Sequence, residues 1–213
     1  MGEFKIRGKP QIAIDVDGTL AKTMEALIEK FNKENNTNHT IDEIDNWDMG
    51  VIKVFGSLEK FLEMYNELWE EEREKIQPHI TREQLKELLE YYDVVVVSNR
   101  QDKRHEEFIQ KWLKENFGFD FKIVLVGEIL DKINNGNYEL IIDDAPPLAE
   151  AIVNCNNCSK ILILVERPWN KNIIQKIKGE NVICVKSTEE AIKLAIKLRK
   201  EQLEEKRKIA INA

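Results

Sequence analysis

Apolar positions recur along this chain in two rhythms. Short continuous or alternating runs predict strands at Gln11–Val16, Asp93–Ser98, Phe121–Val126, Tyr138–Asp143, Ile161–Val165 and Val182–Val185. Apolar residues spaced three and four apart predict helices. One spans Thr23–Asn35, with Met24, Leu27, Ile28 and Phe31 on one face. A second, from Ser57 to about Lys75, carries Leu58, Phe61, Leu62, Tyr65, Leu68 and Trp69. Further helices are expected to about Tyr91, over Lys103–Asn116 and over Pro147–Asn154. Three capping boxes mark helix starts: Thr40-x-x-Glu43, Thr81-x-x-Gln84 and Ser187-x-x-Glu190, the last opening a long terminal helix.

Strands separated by helices imply an α/β domain with a Rossmann-like parallel sheet and helices on both faces. Residues 21–78 break the alternation, because they predict helices only. This stretch reads as a small all-helical cap inserted after the first strand, with residues 1–20 and 79–213 forming the core domain. Ligands of open α/β sheets sit beyond the carboxyl ends of the strands, so such a cap would lie over the site.

Composition narrows the function. The 213 residues carry a net charge of -7, with 33% charged and 42% hydrophobic side chains. An acidic chain is ill suited to grasping a nucleic-acid polymer, which takes a concentrated basic face. The apolar runs are strand-sized, far below the roughly 20 residues that span a bilayer, and Met1–Pro10 does not resemble a signal peptide. Three cysteines fit reduced thiols and a cytoplasmic setting. Cys155 and Cys158 form a Cys-x-x-Cys pair at a helix end without a second pair, so they read as ordinary thiols.

The chemistry gathers at the strand ends. The first strand runs into Asp15-Val16-Asp17-Gly18-Thr19, the second into Ser98-Asn99-Arg100 and the fourth into Asp143-Asp144, with Lys132 in the loop before that strand. Acids, a hydroxyl and a lysine converging on one edge are the parts of a metal and phosphate site: carboxylate oxygens suit Mg²⁺, and the hydroxyl and lysine suit phosphate oxygens. A carboxylate meets a phosphate dianion only where positive charge offsets the repulsion. Lys103 is a rival for Lys132. Trp47 either stacks on a base or sugar or packs the cap. Arg100, like Arg167 and Asn170, either reaches substrate or pairs locally. Trp69 and Phe61 read as core.

These four motifs, in this order across residues 12–144, resemble those of the haloacid dehalogenase superfamily of phosphohydrolases. Ser98-Asn99-Arg100, a following helix with Trp112-Leu113, and Glu166-Arg167-Pro168-Trp169-Asn170 look most similar to its 5'(3')-deoxyribonucleotidase branch. The resemblance implies Asp15 as nucleophile and Asp17 as general acid and base. It implies Mg²⁺ held by Asp15, the Asp17 carbonyl and Asp144 with Asp143 nearby, and a phosphoryl group held by Ser98 and Lys132. Arg100 and Trp47 join the substrate-binding candidates. The implied partner is a small phosphorylated substrate, a nucleotide, with no membrane and the oligomeric state open. A sugar phosphatase and a phosphate-binding module without turnover are the other readings.

Overall fold

The computed structural model describes residues 8–47, 49–134, 136–155, 159–177 and 179–212. Among the described residues, six strands form one sheet: β1 (Gln11–Ile14), β2 (Asp93–Asn99), β3 (Lys122–Val126), β4 (Tyr138–Asp143), β5 (Ile161–Val165) and β6 (Val182–Val185). All neighbours are parallel, in the order β3-β2-β1-β4-β5-β6. The order reverses at β1, which places a crevice at the carboxyl ends of β1 and β4.

Burial explains the unbroken apolar runs. Successive strand residues face opposite sides, and here both sides are covered. Ile12, Ile14, Val94, Val96, Leu140 and Ile142 enter one core; Ala13, Val95, Val97, Ile141, Leu162 and Leu164 enter the other. Helices α1 (Thr23–Asn35), α2 (Gly50–Phe55) and α3 (Leu58–Glu71) follow β1. Next come α4 (Arg82–Tyr91), α5 (Arg104–Phe117), α6 (Asp131–Asn134), α7 (Pro146–Asn154), α8 (Lys171–Ile174) and α9 (Thr188–Asn212). Leu85, Leu88, Ile109, Trp112, Ala191 and Ala195 bring α4, α5 and α9 onto the first core, whereas Leu148, Ala149 and Ile152 bring α7 onto the second.

The helical segment leaves and returns at one spot. Ala21 bridges Pro78, the Lys22 amide donates to the Gln77 carbonyl at 2.8 Å, and the His79 amide donates to Leu20 at 2.8 Å. Leu27, Ile44, Phe55, Met64, Leu68 and Trp69 of this segment are buried in the same cluster as β1 and α5.

Several element boundaries differ from the sequence reading. β1 stops at Ile14, because the Val16 carbonyl turns to accept from Leu20 and Ala21. The capping box at Thr40 starts only a 3-10 turn, Ile41–Glu43. The helix that Ser57 caps ends at Glu71, and Arg73–Lys75 is a separate turn. The acidic run Glu70-Glu71-Glu72 opposes the helix dipole there. Gly50–Phe55 is too short for a periodic signal. Lys132 sits on α6 rather than in a loop. No helix among the described residues is long and apolar enough to cross a membrane.

Candidate active site at the carboxyl edge of the sheet

The turn after β1 sets the geometry. The Asp15 amide still donates to Ile142 of β4 at 3.0 Å, so Asp15 stays registered beside Asp143 and Asp144. The chain then folds back within five residues, the Ala21 amide reaching the Val16 carbonyl at 2.8 Å. Gly18 has φ of +76°, and a Cβ there would lie 2.5 Å from Asp144 Oδ2. Glycine is therefore required both by conformation and by space. Distant residues fasten the turn: Arg167 Nε donates to the Gly18 carbonyl at 2.6 Å, and the Thr188 hydroxyl donates to the Thr19 carbonyl at 2.7 Å.

Asp15, Asp143 and Asp144 are all buried and offer oxygens within 4.8 Å of one another. Lys132 Nζ donates to Asp15 Oδ1 at 2.6 Å and to Asp143 Oδ2 at 2.8 Å. Asp143 also accepts from the Ala145 amide at 2.9 Å, while Asp144 accepts from Thr19 Oγ1 at 3.1 Å and from Trp169 Nε1 at 2.9 Å. Burial raises the Asp15 carboxyl well above the usual range, and Asp143 and Asp144 add to the rise against the lowering by Lys132. Burial, then Asp143, pushes Asp144 up to about 7. Burial works against the Lys132 ammonium, but Asp143 and Asp15 outweigh it and hold its pKa high. One lysine thus faces three carboxylates. Hard oxygen donors with an excess of negative charge fit Mg²⁺, so this cluster suits the ion that the motifs imply.

Asp17 is only half-buried and turns away from that cluster. Its Oδ1 accepts from Thr23 Oγ1 at 2.6 Å, and its Oδ2 accepts from Tyr65 Oη and Arg100 Nη2, both at 2.7 Å. Burial alone would raise its pKa, but the Arg100 charge and these hydrogen bonds lower it below the ordinary value. Asp17 therefore stands as a carboxylate, its side chain engaged apart from the Asp15 cluster.

A cavity of about 620 Å³ joins these groups; Asp15, Asp17, Ser98, Arg100, Lys132, Asp143 and Asp144 all line it. Trp47, Phe61, Tyr65 and Asn66 of the inserted segment form its opposite wall. Trp47 is 38% exposed, so it stands at the lip rather than in a core. Phe61 packs against the main core, as expected, and also lines the cavity. Trp69 is fully buried, as expected, and carries Arg100 on its ring at 4.2 Å. Arg167 and Asn170 do not reach the cavity. Asn170 Nδ2 donates to the Asp144 carbonyl at 2.9 Å, so both brace the loops from behind. Lys103 is exposed and outside the cavity. Cys155 is an exposed free thiol, and Cys158 lies outside the described residues.

Sequence reasoning missed Tyr65, Thr23 and Trp169, which contact Asp17 or Asp144 directly. Tyr65 is hidden in the apolar stripe of α3, and only its hydroxyl hints at a polar partner. Trp169 sits in the Arg167–Asn170 stretch that drew notice without a role.

No protein-family model matches the sequence, and no curated protein does. Solved structures do match in shape. A predicted phosphatase from Clostridium acetobutylicum superposes with a TM-score of 0.57 at 13% identity, over 92% of this chain and 99% of its own. A haloacid dehalogenase-like hydrolase from Burkholderia xenovorans does so with a TM-score of 0.55 at 12% identity, over 88% and 96%. The fold is that of the haloacid dehalogenase-like hydrolases. A third protein of this fold, from Bacteroides fragilis, gives a TM-score of 0.52 at 13% identity, covering 83% of this chain and 97% of its own. These likenesses cover most of this chain. They do not single out the deoxyribonucleotidase branch within the haloacid dehalogenase-like fold.

Proposed function

We propose that this protein is a Mg²⁺-dependent phosphomonoester hydrolase that works through an aspartyl-phosphate on Asp15. The observation that carries the reading is the burial of three carboxylates around one lysine at the floor of a cavity large enough for a small organic phosphate. In the first step an Asp15 oxygen attacks phosphorus and the bond to the leaving oxygen breaks; Asp17, which must first take up a proton and give up its contacts with Tyr65 and Arg100, passes that proton to the leaving oxygen. In the second, Asp17 takes a proton from water, the water oxygen attacks phosphorus, and the bond to Asp15 breaks. Ser98 and Lys132 hold the phosphoryl oxygens throughout. Asp15, the Asp17 carbonyl and Asp144, with Asp143 beside them, would hold Mg²⁺, whose charge offsets that of the carboxylates and the phosphate. Residues 21–78 act as the cap, and their contacts with the core at Asp17 close the cavity.

For the substrate, a nucleoside monophosphate is supported by Trp47 and Phe61, two aromatic rings on the cavity wall. A sugar phosphate or another small phosphomonoester is favoured by the polar wall of Asn66, Arg100 and Gln101. A binding module without turnover would have no use for a second carboxylate, Asp17, two residues from Asp15 on the same cavity. The net charge of -7 argues against a nucleic-acid polymer, and the exposed thiols of Cys155 and Cys184 agree with a reducing cytoplasm. Hydrolysis of p-nitrophenyl phosphate with Mg²⁺ and with chelator, by the native protein and Asp15→Asn, tests the reaction. Equal rates in the two proteins reject it. Nucleoside monophosphates set against sugar phosphates then decide the leaving group.

A further inference from the structure

A second cavity, of about 360 Å³, adjoins the first, and Asp17, Trp47, Tyr65 and Asp144 line both. Its volume falls within the roughly 300–1,000 Å³ of small-molecule sites. The inserted segment supplies most of its wall: Met24 and Leu27 of α1, Ile44, Val51 of α2, and Leu58 and Phe61 of α3. Leu27 and Ile44 are buried, whereas Leu58 is 51% exposed and Trp47 is partly open to solvent. The segment thus leaves apolar surface uncovered in a concave place, and such surface gains by being covered.

The polar groups along this wall are already engaged. Thr23 Oγ1 and Tyr65 Oη both donate to Asp17, and Trp169 Nε1 donates to Asp144. None of these three side chains has a second proton to give. Asn46 Oδ1 accepts from the Met49 amide at 3.1 Å. A polyol brought here would exchange water for few partners, whereas an alkyl or aryl group would give up none. Position ties the cavity to the reaction. Asp17 must meet the leaving oxygen to exchange a proton with it, and Asp17 lines the second cavity as well as the first. The carbon group on that oxygen therefore has this cavity beside it. We infer that the second cavity takes the organic part of the substrate, and that the preferred substrate is a phosphomonoester of an apolar alkyl or aryl alcohol. This rests on the hydrolase reading and narrows its substrate class.

Two comparisons test the inference. Ethyl, butyl and hexyl phosphate differ only in apolar length. Cyclohexylmethyl phosphate is set against glucose 6-phosphate, which adds hydroxyls to a ring of the same size, and against a nucleoside 5'-monophosphate. Along the alkyl series kcat/KM is expected to rise about two- to fourfold per CH₂. The cyclohexyl ester should exceed both polar esters by about tenfold or more. Both effects should appear chiefly in KM. Met24→Gln and Leu58→Gln each put an amide on the wall, and the hexyl-to-ethyl ratio should fall by about threefold or more. Reading the ratio cancels any general change in activity, and the exposed Leu58 serves if Met24→Gln fails to fold. Ethyl-, butyl- and hexylphosphonate carry carbon in place of the leaving oxygen, so calorimetry with them in Mg²⁺ gives the preference without turnover. A flat series in both kcat/KM and affinity, a polar ester preferred to the cyclohexyl one, or a ratio that neither variant moves overturns the inference, even where Asp15-dependent hydrolysis persists. Affinity that climbs with chain length in a protein without Asp15-dependent turnover would instead overturn the hydrolase reading alone.

Discussion

Lowering the pH from 7.5 to 5.5 is expected to strip Mg²⁺ stabilisation from this protein. Asp144 is pushed up to about 7 by burial and by Asp143, and a proton on it must leave before the oxygens can hold a cation. With one group titrating at about 7, the ionised fraction falls about 25-fold over this interval, and the apparent affinity for Mg²⁺ falls with it. At Mg²⁺ concentrations well above Kd, that removes about 2 kcal/mol of stabilisation, or about 4–8 °C of Tm for a chain of this size. Asp15 is raised in the same direction, chiefly by burial. The assay is differential scanning fluorimetry in Mg²⁺ and in EDTA at half-unit pH steps, read as the difference between the two. Taking the difference matters because His79 is partly buried, which pushes its pKa down to about 3. Its folded form binds fewer protons than the unfolded chain between about pH 3 and 6.5. It therefore makes stability rise with pH over that window, but equally with and without metal. A Mg²⁺ shift of the same size at pH 5.5 and 7.5, or none at either, refutes the argument. Asp144→Asn should remove most of the shift.

Three further outcomes follow from the same geometry. Gly18→Ala places a methyl group 2.5 Å from Asp144 Oδ2 at φ +76°; it should cost about 1–2 kcal/mol from backbone strain alone and weaken Mg²⁺ binding, as urea titration and calorimetry would show. Lys132→Met removes the cation that both Asp15 and Asp143 contact and should destabilise the metal-free protein by about 3–5 kcal/mol at pH 7.5. That loss should shrink towards pH 5: carboxylates with raised pKa values bind protons more tightly in the fold, so their penalty grows only as pH rises. Asp143→Asn should disturb turnover through Lys132 while leaving measurable Mg²⁺ affinity, whereas Asp144→Asn should lose the affinity first; calorimetry on both variants checks the division.

The sheet was legible because its signals are local. Both faces of β1, β2, β4 and β5 are buried, so their residues read as continuous apolar runs between turns. Asp15, Asp17, Ser98 and Asp143-Asp144 were legible because they follow those runs directly, and a parallel sheet brings such ends together whatever lies between. Lys132 was found by position, though its place on a four-residue helix was not, since so short an element has no period. The contacts of the inserted segment were beyond reach. Tyr65 meets Asp17 across 48 residues of sequence and Trp169 meets Asp144 across 25, and nothing in either local pattern names its partner. That Phe61 lines the cavity as well as packing on the core was out of reach for the same reason: helical spacing says that a face is covered, not what else lies against it.

The two adjacent acids at the end of β4 show how one strand terminus supplies two different functions. Successive side chains diverge, so Asp143 turns to Lys132 and the Ala145 amide while Asp144 turns to Thr19 and Trp169. Asp143 thereby fixes the lysine against Asp15, and much of its charge is answered within the protein. Asp144 receives only neutral donors, which orient its oxygens without cancelling its charge. Burial, then the neighbouring Asp143 charge, raises the pKa of Asp144, and a cation would relieve both. The neutral donors come from Thr19 on the first turn and Trp169 beyond β5, so the orientation of Asp144 depends on the packing of β1, β4 and β5 together. A site built this way keeps its excess of negative charge only because the surrounding fold holds it; the excess suits a divalent cation, and a phosphate dianion would be admitted only once such a cation offset it.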